Sequence, residues 1–246
     1  MRRYGLIGYP LTHSFSQKYF TEKFAQLGIQ DCVYETYSLK DISELGAVLQ
    51  QPDLRGLNVT IPYKKQVLVF LTGASAVVIK TGACNCISIQ DGQLTGHNTD
   101  VVGFELSLQP FLRHHHTAAL ILGTGGASAA VEFVLDKLGI SFQYVSRTAS
   151  GNAISYDMLS ADIISSHQLI INTTPLGMYP DTAASPGIPY QYLTPKHHLY
   201  DLIYNPAETK FLSMGGIQGA TTQNGQEMLV LQAEESWRIW NSLDQE

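Results

Sequence analysis

The chain has 246 residues and a formal net charge of −6, from 15 lysines and arginines against 21 aspartates and glutamates. Its 44% hydrophobic content excludes an intrinsically disordered chain, and the net negative charge argues against a protein that binds nucleic acid through phosphate contacts. No apolar run approaches the ~18–20 residues that a membrane helix requires. We therefore expect a globular protein of one or two domains.

Apolar runs and helical periodicity predict elements that alternate in type along the chain. In chain order they are strand 4–8, helix 15–27, strand 32–37, helix 42–49, strand 56–61, a hairpin of 84–89 with a strand at Leu94, helix 98–108, strand 118–122, helix 126–138, strands 142–145, 169–172 and 199–203, and helix 229–240. The hairpin is indicated by the turn pair Asp91-Gly92. This order is typical of an α/β protein with mostly parallel sheets, in two lobes divided near residues 98–117.

The basic N-terminus, the cysteines and the histidine runs do not indicate a signal peptide, a redox motif or a metal site. No apolar signal region follows the N-terminal arginines, so we expect a cytoplasmic protein. The three cysteines lack CxxC spacing and are expected to be reduced structural thiols. The histidine runs 114–116 and 197–198 have no partners at metal-ligand spacing, so we expect solvated loops and no metal site.

A glycine-rich loop follows the strand 118–122. The loop is Gly123-Thr124-Gly125-Gly126-Ala127, and an amphipathic helix comes after it. In a strand–loop–helix unit of this kind, glycines permit a tight turn and a close approach to a pyrophosphate, which the helix N-terminus attracts. The third glycine of the usual pattern is replaced by Ser128, so the loop alone is a weak motif.

The end of the next predicted strand indicates which dinucleotide would bind. An NAD site has an acidic residue there, which accepts a hydrogen bond from the ribose 2′-hydroxyl. This chain has Ser146-Arg147-Thr148 instead, and a guanidinium with two hydroxyls suits a 2′-phosphate. The turn predicts NADP, with a surface arginine in an ordinary turn as the alternative.

Four polar segments are spread over the first lobe. They are His13-Ser14-Phe15-Ser16 at a helix start, the segment 58–64 that contains Thr60 and Lys64, Asn85 within an apolar strand, and Asn98-Thr99-Asp100 at another helix start. Taken singly, each has a structural explanation as a helix cap, a surface lysine or a buried amide. Together they supply hydroxyls and amides for a polyhydroxylated carboxylate, and a lysine and an aspartate for proton transfer.

These segments, in this order, resemble the signatures of the shikimate dehydrogenase family. The resemblance covers essentially the whole chain, and its segments are 8–16, 58–64, 82–85, 98–100, 123–127, 146–148, 172–178, 200–206 and 224–232. Some positions depart from the family pattern, among them Ser146, where asparagine is usual, and Gly151, where a second arginine is frequent. Cofactor affinity is therefore expected to depend mainly on Arg147.

The resemblance implies an activity and a role for each matching residue. The family reduces 3-dehydroshikimate to shikimate with NADPH, in the pathway to aromatic amino acids. Lys64 and Asp100 would form the catalytic pair. The substrate would be held by Ser14, Ser16, Thr60, Asn85, Tyr204 and Gln232. The cofactor would contact Gly123, Thr124, Gly125, Gly126, Ala127, Ser146, Arg147, Thr148, Met178 and Gly225.

The resemblance also implies two domains and a small-molecule substrate. Residues 1–98 with 227–246 would form the α/β substrate domain, and residues 99–226 a Rossmann-type NADP-binding domain. We expect a monomer or homodimer without nucleic-acid or membrane partners. Two other functions stay open, namely a quinate/shikimate dehydrogenase with relaxed substrate or cofactor choice, and a non-catalytic dinucleotide-binding module. The module would have no reason to keep Lys64 and Asp100.

Overall fold

The computed structural model of the chain describes residues 1–11 and 14–242. Thr12, His13 of the first polar segment and residues 243–246 of the predicted substrate domain lie outside the described residues. The chain forms two compact units, one of residues 1–99 with the chain from residue 233 onward, and one of residues 100–232. The predicted domains divide instead after residues 98 and 226, and those domain bounds remain predictions.

Unit 1 is built on a mixed six-stranded sheet in the order β2-β1-β3-β5-β6-β4. Strand β1 pairs in parallel with β2 and β3, and β5 is antiparallel to both β3 and β6. The β5–β6 pair is antiparallel because the predicted Asp91-Gly92 hairpin joins the two strands directly. Both hairpin residues adopt a positive φ. The elements are β1 (Arg2–Gly8), α1 (Phe15–Gln26), β2 (Cys32–Ser38), α2 (Leu45–Val48), β3 (Leu54–Val59), β4 (Gly73–Ala74), α3 (Ala76–Thr81), β5 (Cys86–Gln90) and β6 (Gln93–His97).

Unit 2 is built on a parallel six-stranded sheet in the order β12-β11-β10-β7-β8-β9. Numbered from β7, this is the 3-2-1-4-5-6 order of the Rossmann fold, whose ligands bind where the strand order reverses. The elements are α4 (Thr99–Leu108), β7 (Ala118–Leu122), α5 (Ser128–Lys137), β8 (Ser141–Ser146), β9 (Ala153–Ser155), α6 (Ala161–Ser166), β10 (Leu169–Asn172), β11 (His198–Asp201), α7 (Lys210–Ile217), β12 (Thr221–Gln223) and α8 (Gln226–Ser242). Thr99 at the start of α4 and the end of α8 belong to unit 1. The α/β fold class is confirmed.

Apolar clusters cover both faces of the sheet of unit 1. Strand β1 contributes to both clusters because alternate residues of a strand point to opposite sides of the sheet. An aromatic cluster on one face includes Tyr4, Phe20 and Trp240, and an aliphatic cluster that includes Ile7 and Leu57 covers the other. The Trp240 ring stacks on Tyr4 with centroids 4.8 Å apart, and its indole N–H donates to the carbonyl of Ile87 at 3.0 Å. The last turns of α8 are therefore integral to the core of unit 1.

Gly56 of β3 leaves the space that the Trp240 indole fills. A Cβ at Gly56 would lie 2.2 Å from Trp240 Nε1, so we expect Gly56→Ala to lower the free energy of unfolding by about 2–3 kcal/mol through overpacking. Urea denaturation measures this effect. The matched control is Gly46→Ala in α2, where an added Cβ meets open space and alanine is expected to be stabilising or neutral. Equal stability of the two variants would contradict the packing argument.

The histidines of unit 2 correct one prediction. The expected solvated loop at 197–198 is wrong, since both histidines are buried and His198 is the first residue of β11. His116 of the run 114–116 is also buried. Each has polar partners; His198, for example, lies 2.9 Å from Thr221 Oγ1 and stacks on Phe111. No group of three or more metal-ligating side chains occurs among the described residues.

Burial lowers the pKa of His198 to about 4 from the ordinary 6.5. Between these values the unfolded chain binds more protons than the folded one, so the free energy of unfolding falls as pH decreases. We expect this residue to contribute a loss of about 2 kcal/mol between pH 7 and pH 5. Urea denaturation of the parent and of His198→Gln at both pH values isolates this contribution, because other titrating groups are common to both. An equal change in the two proteins would contradict it.

Candidate active site

The segment with Thr60 and Lys64 follows β3, at the carboxyl end of two parallel strands. The Thr60 N–H donates to the carbonyl of Ile7 in β1 at 2.9 Å, and the carbonyl of Lys64 accepts from the Cys84 N–H at 2.8 Å. Both side chains are half-buried. The backbone of this segment is therefore held at the end of the sheet where parallel α/β folds place their ligands.

Ser14 and Ser16 lie at the start of α1. Ser14 caps the helix, since its Oγ accepts from the Gln17 N–H at 3.1 Å. This bond uses a lone pair, so the hydroxyl hydrogen of Ser14 remains a donor for a carboxylate. Ser16 lies close enough to the Tyr34 phenol to oppose the rise that burial causes in the pKa of that phenol.

Tyr34 and Asn58 extend this contact into the core of unit 1. The phenol of Tyr34 donates to Asn58 Oδ1 at 2.8 Å, and burial raises its pKa well above its usual value, which keeps it protonated. The Asn58 amide nitrogen donates in turn to the carbonyl of Asn85 at 3.3 Å. Side-chain hydrogen bonds thus connect Tyr34, which neighbours Ser16, to the backbone of Asn85. Ser16 and Asn85 are both predicted substrate residues.

Asn85 contacts Thr99, and Asp100 is the next residue in the chain after Thr99. The Asn85 side chain is buried and contacts Thr99, the first residue of α4. Asp100 follows in the first turn of α4 and is also buried. Lys64 belongs to unit 1 and Asp100 to unit 2, so their action as a pair remains a prediction.

In unit 2, the glycine loop has the backbone that its sequence predicts. Gly123 has a φ of +100°, and a Cβ there would lie 2.8 Å from Thr174 Cγ2. At Gly125 and Gly126 a Cβ would meet nothing within 4 Å, so space remains open beside the loop. The N-terminal residue of α5 has no side-chain cap, which leaves first-turn N–H groups for an anion. Ser128 donates to the carbonyl of Gly125 at 2.7 Å and tightens the loop.

The turn at Ser146 follows β8, the neighbour of β7. Ser146 donates its hydroxyl hydrogen to the carbonyl of Thr148, which closes the turn, while Arg147 and Thr148 are exposed. The Ser146 hydroxyl thus donates inside the turn, and its predicted contact with the cofactor stays a prediction. The guanidinium of Arg147 is exposed. Backbone N–H groups, open space at two glycines and an exposed arginine fit a dinucleotide with a 2′-phosphate.

Three of the remaining predicted site residues follow β10, β11 and β12, and the fourth lies on α8. Met178 and Tyr204 are exposed on the loops that follow β10 and β11. Gly225 comes after β12, and a Cβ there would lie 2.1 Å from the carbonyl oxygen of Leu202. Gln232, on α8, is buried and donates to the carbonyl of Leu229 at 2.8 Å.

A buried carboxylate organises these loops, and the sequence analysis assigned it no role. Asp201, at the end of β11, accepts from Asn172 Nδ2 at 3.0 Å, from the Ile203 N–H at 3.1 Å and from the Thr209 hydroxyl at 2.6 Å. Burial raises its pKa to about 6. Its signal in the sequence is an acidic residue within a predicted buried strand, 199–203, where a carboxylate is costly to bury unless partners are present.

Comparisons with known proteins give a consistent result. The family model described as "Shikimate dehydrogenase substrate binding domain" matches residues 6–87. The chain is 38% identical to the shikimate dehydrogenase (NADP(+)) of Clostridium beijerinckii, with 98% of this chain and 92% of that protein covered. The chain belongs to the shikimate dehydrogenase family.

Solved structures of the shikimate dehydrogenase family share the fold. The shikimate 5-dehydrogenase of Thermus thermophilus, in complex with NADP(H) and shikimate, has a TM-score of 0.87 at 29% identity, with 98% of this chain and 94% of that one covered. The quinate dehydrogenase of Corynebacterium glutamicum, in complex with NAD, also has a TM-score of 0.87, at 25% identity and with coverage of 98% and 94%. The family resemblance, with its substrate domain and Rossmann-type domain, is confirmed.

Proposed function

We propose that this chain catalyses the reversible, NADP-dependent reduction of 3-dehydroshikimate to shikimate. The observation that carries the proposal is the similarity of 98% of the chain to a shikimate dehydrogenase (NADP(+)). The residues support it. Thr60 and Lys64 follow the end of β3, Asn85 accepts through its carbonyl from the N–H of Val59 at the end of β3, and Ser14 caps α1, all in unit 1. A polyhydroxylated carboxylate needs such donors and acceptors.

Lys64 and Asp100 are the proposed catalytic residues. Reduction of a ketone places negative charge on its oxygen, and a lysine ammonium both stabilises that charge and supplies the proton. Asp100 holds the ammonium in place or relays its proton. Ser14 and Ser16 are proposed to bind the carboxylate, and the other polar groups of the substrate fall to Thr60, Asn85, Tyr204 and Gln232.

NADP is proposed to bind to unit 2. NADPH supplies the hydride when it is bound. The N–H groups of the loop Gly123 to Ala127 bind its pyrophosphate, and Arg147, with Ser146 and Thr148 on either side of it in the turn, binds the 2′-phosphate. Met178 and Gly225 border the nicotinamide.

Among residues 1–11 and 14–242, every helix is too short or too polar to cross a membrane. A cytoplasmic location and a monomer or homodimer stay predictions.

The test is oxidation of shikimate with NADP⁺, followed by the absorbance of NADPH, with quinate and NAD⁺ in parallel reactions. We expect turnover with shikimate and NADP⁺. Binding of NADPH without turnover of either substrate would favour the non-catalytic module. Faster turnover of quinate would favour the second candidate, a quinate/shikimate dehydrogenase, which the similarity to the C. glutamicum structure supports. The arginine of the Ser146-Arg147-Thr148 turn favours NADP over NAD.

A further inference from the structure

Thr99 has no role in the function proposed above, although it contacts one site residue and directly precedes another. It is 1% exposed, belongs to unit 1 and is the first residue of α4. Asp100 is the next residue in the chain. The position of Asp100 therefore depends on the interactions that hold the first residue of α4.

Both ends of the Asn85 amide are bound by Thr99. The Thr99 N–H donates to Asn85 Oδ1 at 2.6 Å, and Asn85 Nδ2 donates to Thr99 Oγ1 at 2.9 Å. A backbone N–H only donates, so the first bond fixes which end of the amide carries the oxygen. Thr99 thereby determines the direction in which Asn85 presents its amide.

The Thr99 hydroxyl is itself backed by a buried network. Its oxygen lies 3.2 Å from Ser236 Oγ on α8, and Ser236 Oγ accepts from Asn58 Nδ2 at 2.9 Å. Ser236 is fully buried and Asn58 is held by Tyr34. Hydrogen bonds of this kind at low exposure are expensive to break and allow few alternative arrangements.

We propose that Thr99 is a positioning residue of the dehydrogenase reaction, which orients the Asn85 amide for the substrate and fixes the first turn of α4 at Asp100. The proposal rests on the proposed function, in which Asn85 and Asp100 act on the substrate. Thr99 acts through these two neighbours. Its hydroxyl and its backbone N–H have separate tasks, and only the hydroxyl is removable by substitution.

Two substitutions separate hydrogen bonding from packing. Thr99→Val keeps the shape and removes the hydroxyl, and we expect kcat/KM for shikimate to fall about 10–100-fold, because a buried amide donor loses its acceptor. Thr99→Ser keeps the hydroxyl and removes a methyl group, and we expect kcat/KM within about threefold of the parent. The KM for NADP⁺ stays unchanged in both. A purely packing role gives the opposite ranking, with valine the more active variant.

A double-mutant cycle tests the route through Asn85. In an Asn85→Ala background, Thr99→Val is expected to lower kcat/KM by less than about threefold more, since residues that act through one another are not additive. Additive losses would overturn the assignment. If Thr99→Val does not fold, Ser236→Ala decides, because it removes the other partner of the same hydroxyl; it is expected to lower kcat/KM several-fold, and an unchanged value would overturn the proposal.

Thr72→Val is the matched control. The Thr72 hydroxyl bonds both backbone groups of Leu94 and none of the site residues, so this variant is expected to lose stability and keep its kcat/KM. A parent chain without turnover would overturn the proposed function and this role with it. An active parent whose Thr99→Val variant is equally active would overturn the role of Thr99 alone.

Discussion

Replacement of Lys64 by alanine is expected to lower kcat for shikimate oxidation by about 100-fold or more, with a smaller change in KM. A positioned acid–base group typically contributes ~10²–10⁴-fold to the rate, and most of its effect arises in the transition state, when charge develops on the oxygen. Lys64 is suited to this task because its backbone position is fixed. Its carbonyl accepts from the Cys84 N–H, and the N–H of Thr60, in the same segment after β3, donates to the carbonyl of Ile7. Steady-state kinetics with saturating NADP⁺ measures the effect.

Lys65 provides a matched control for Lys64. It is the next residue in the chain and exposed, so Lys65→Ala removes the same charge from almost the same place. We expect Lys65→Ala to keep kcat within about twofold, since a solvated lysine contributes little to a reaction inside a site. Near-normal turnover of Lys64→Ala, or an equal loss in both variants, would exclude Lys64 as the proton donor.

Elements with a strong local signal were predicted correctly. Strands β7 and β10 begin and end at the predicted residues, because each is a short apolar run bounded by glycine, asparagine or polar residues. The helix after the glycine loop begins at Ser128 rather than 126, since Gly125 to Ala127 form the turn. Such a boundary depends on local turn geometry, which periodicity does not encode.

The sequence pattern did not predict elements that are stabilised mainly by packing against other parts of the fold. Strand β12 has three residues with two threonines, and helix α7 contains two adjacent glycines; neither composition signals its structure. The pair His197-His198 has no partners at metal-ligand spacing, which predicts a solvated loop, yet His198 is buried between Phe111 and the side chains of β12. These positions depend on tertiary partners that are distant in sequence.

The candidate site shows the same division. Motifs located the residues that would touch ligands, since those residues occur in short ordered segments such as Asn98-Thr99-Asp100. The residues that support them were not visible in the sequence, because Tyr34 and Ser236 are separated by about two hundred residues in the chain and are bridged by Asn58 in the folded structure. A residue that acts through another leaves no local pattern, so its role had to come from the structure.

Replacement of Arg147 by alanine is expected to raise the KM for NADPH by about 10–100-fold and to leave the KM for NADH nearly unchanged. An arginine–phosphate contact is a charge-assisted, bidentate interaction, and its loss removes affinity only for the cofactor that carries the 2′-phosphate. The exposed position of Arg147 makes the guanidinium accessible, and Ser146 already donates its hydroxyl hydrogen to Thr148 within the turn. We therefore expect the discrimination between the two cofactors to depend mainly on the guanidinium of Arg147.

Arg55→Ala separates the local effect of Arg147 from that of net charge. Arg55 is also exposed but lies in β3 of unit 1, so its removal changes the total charge equally without altering the turn after β8. We expect this control to keep the parental ratio of KM for NADH to KM for NADPH, whereas Arg147→Ala brings that ratio towards one. If Arg147→Ala weakened both cofactors equally, the arginine would act on the shared adenosine or on the fold, and the preference for NADP would need another source, such as the hydroxyl of Thr148.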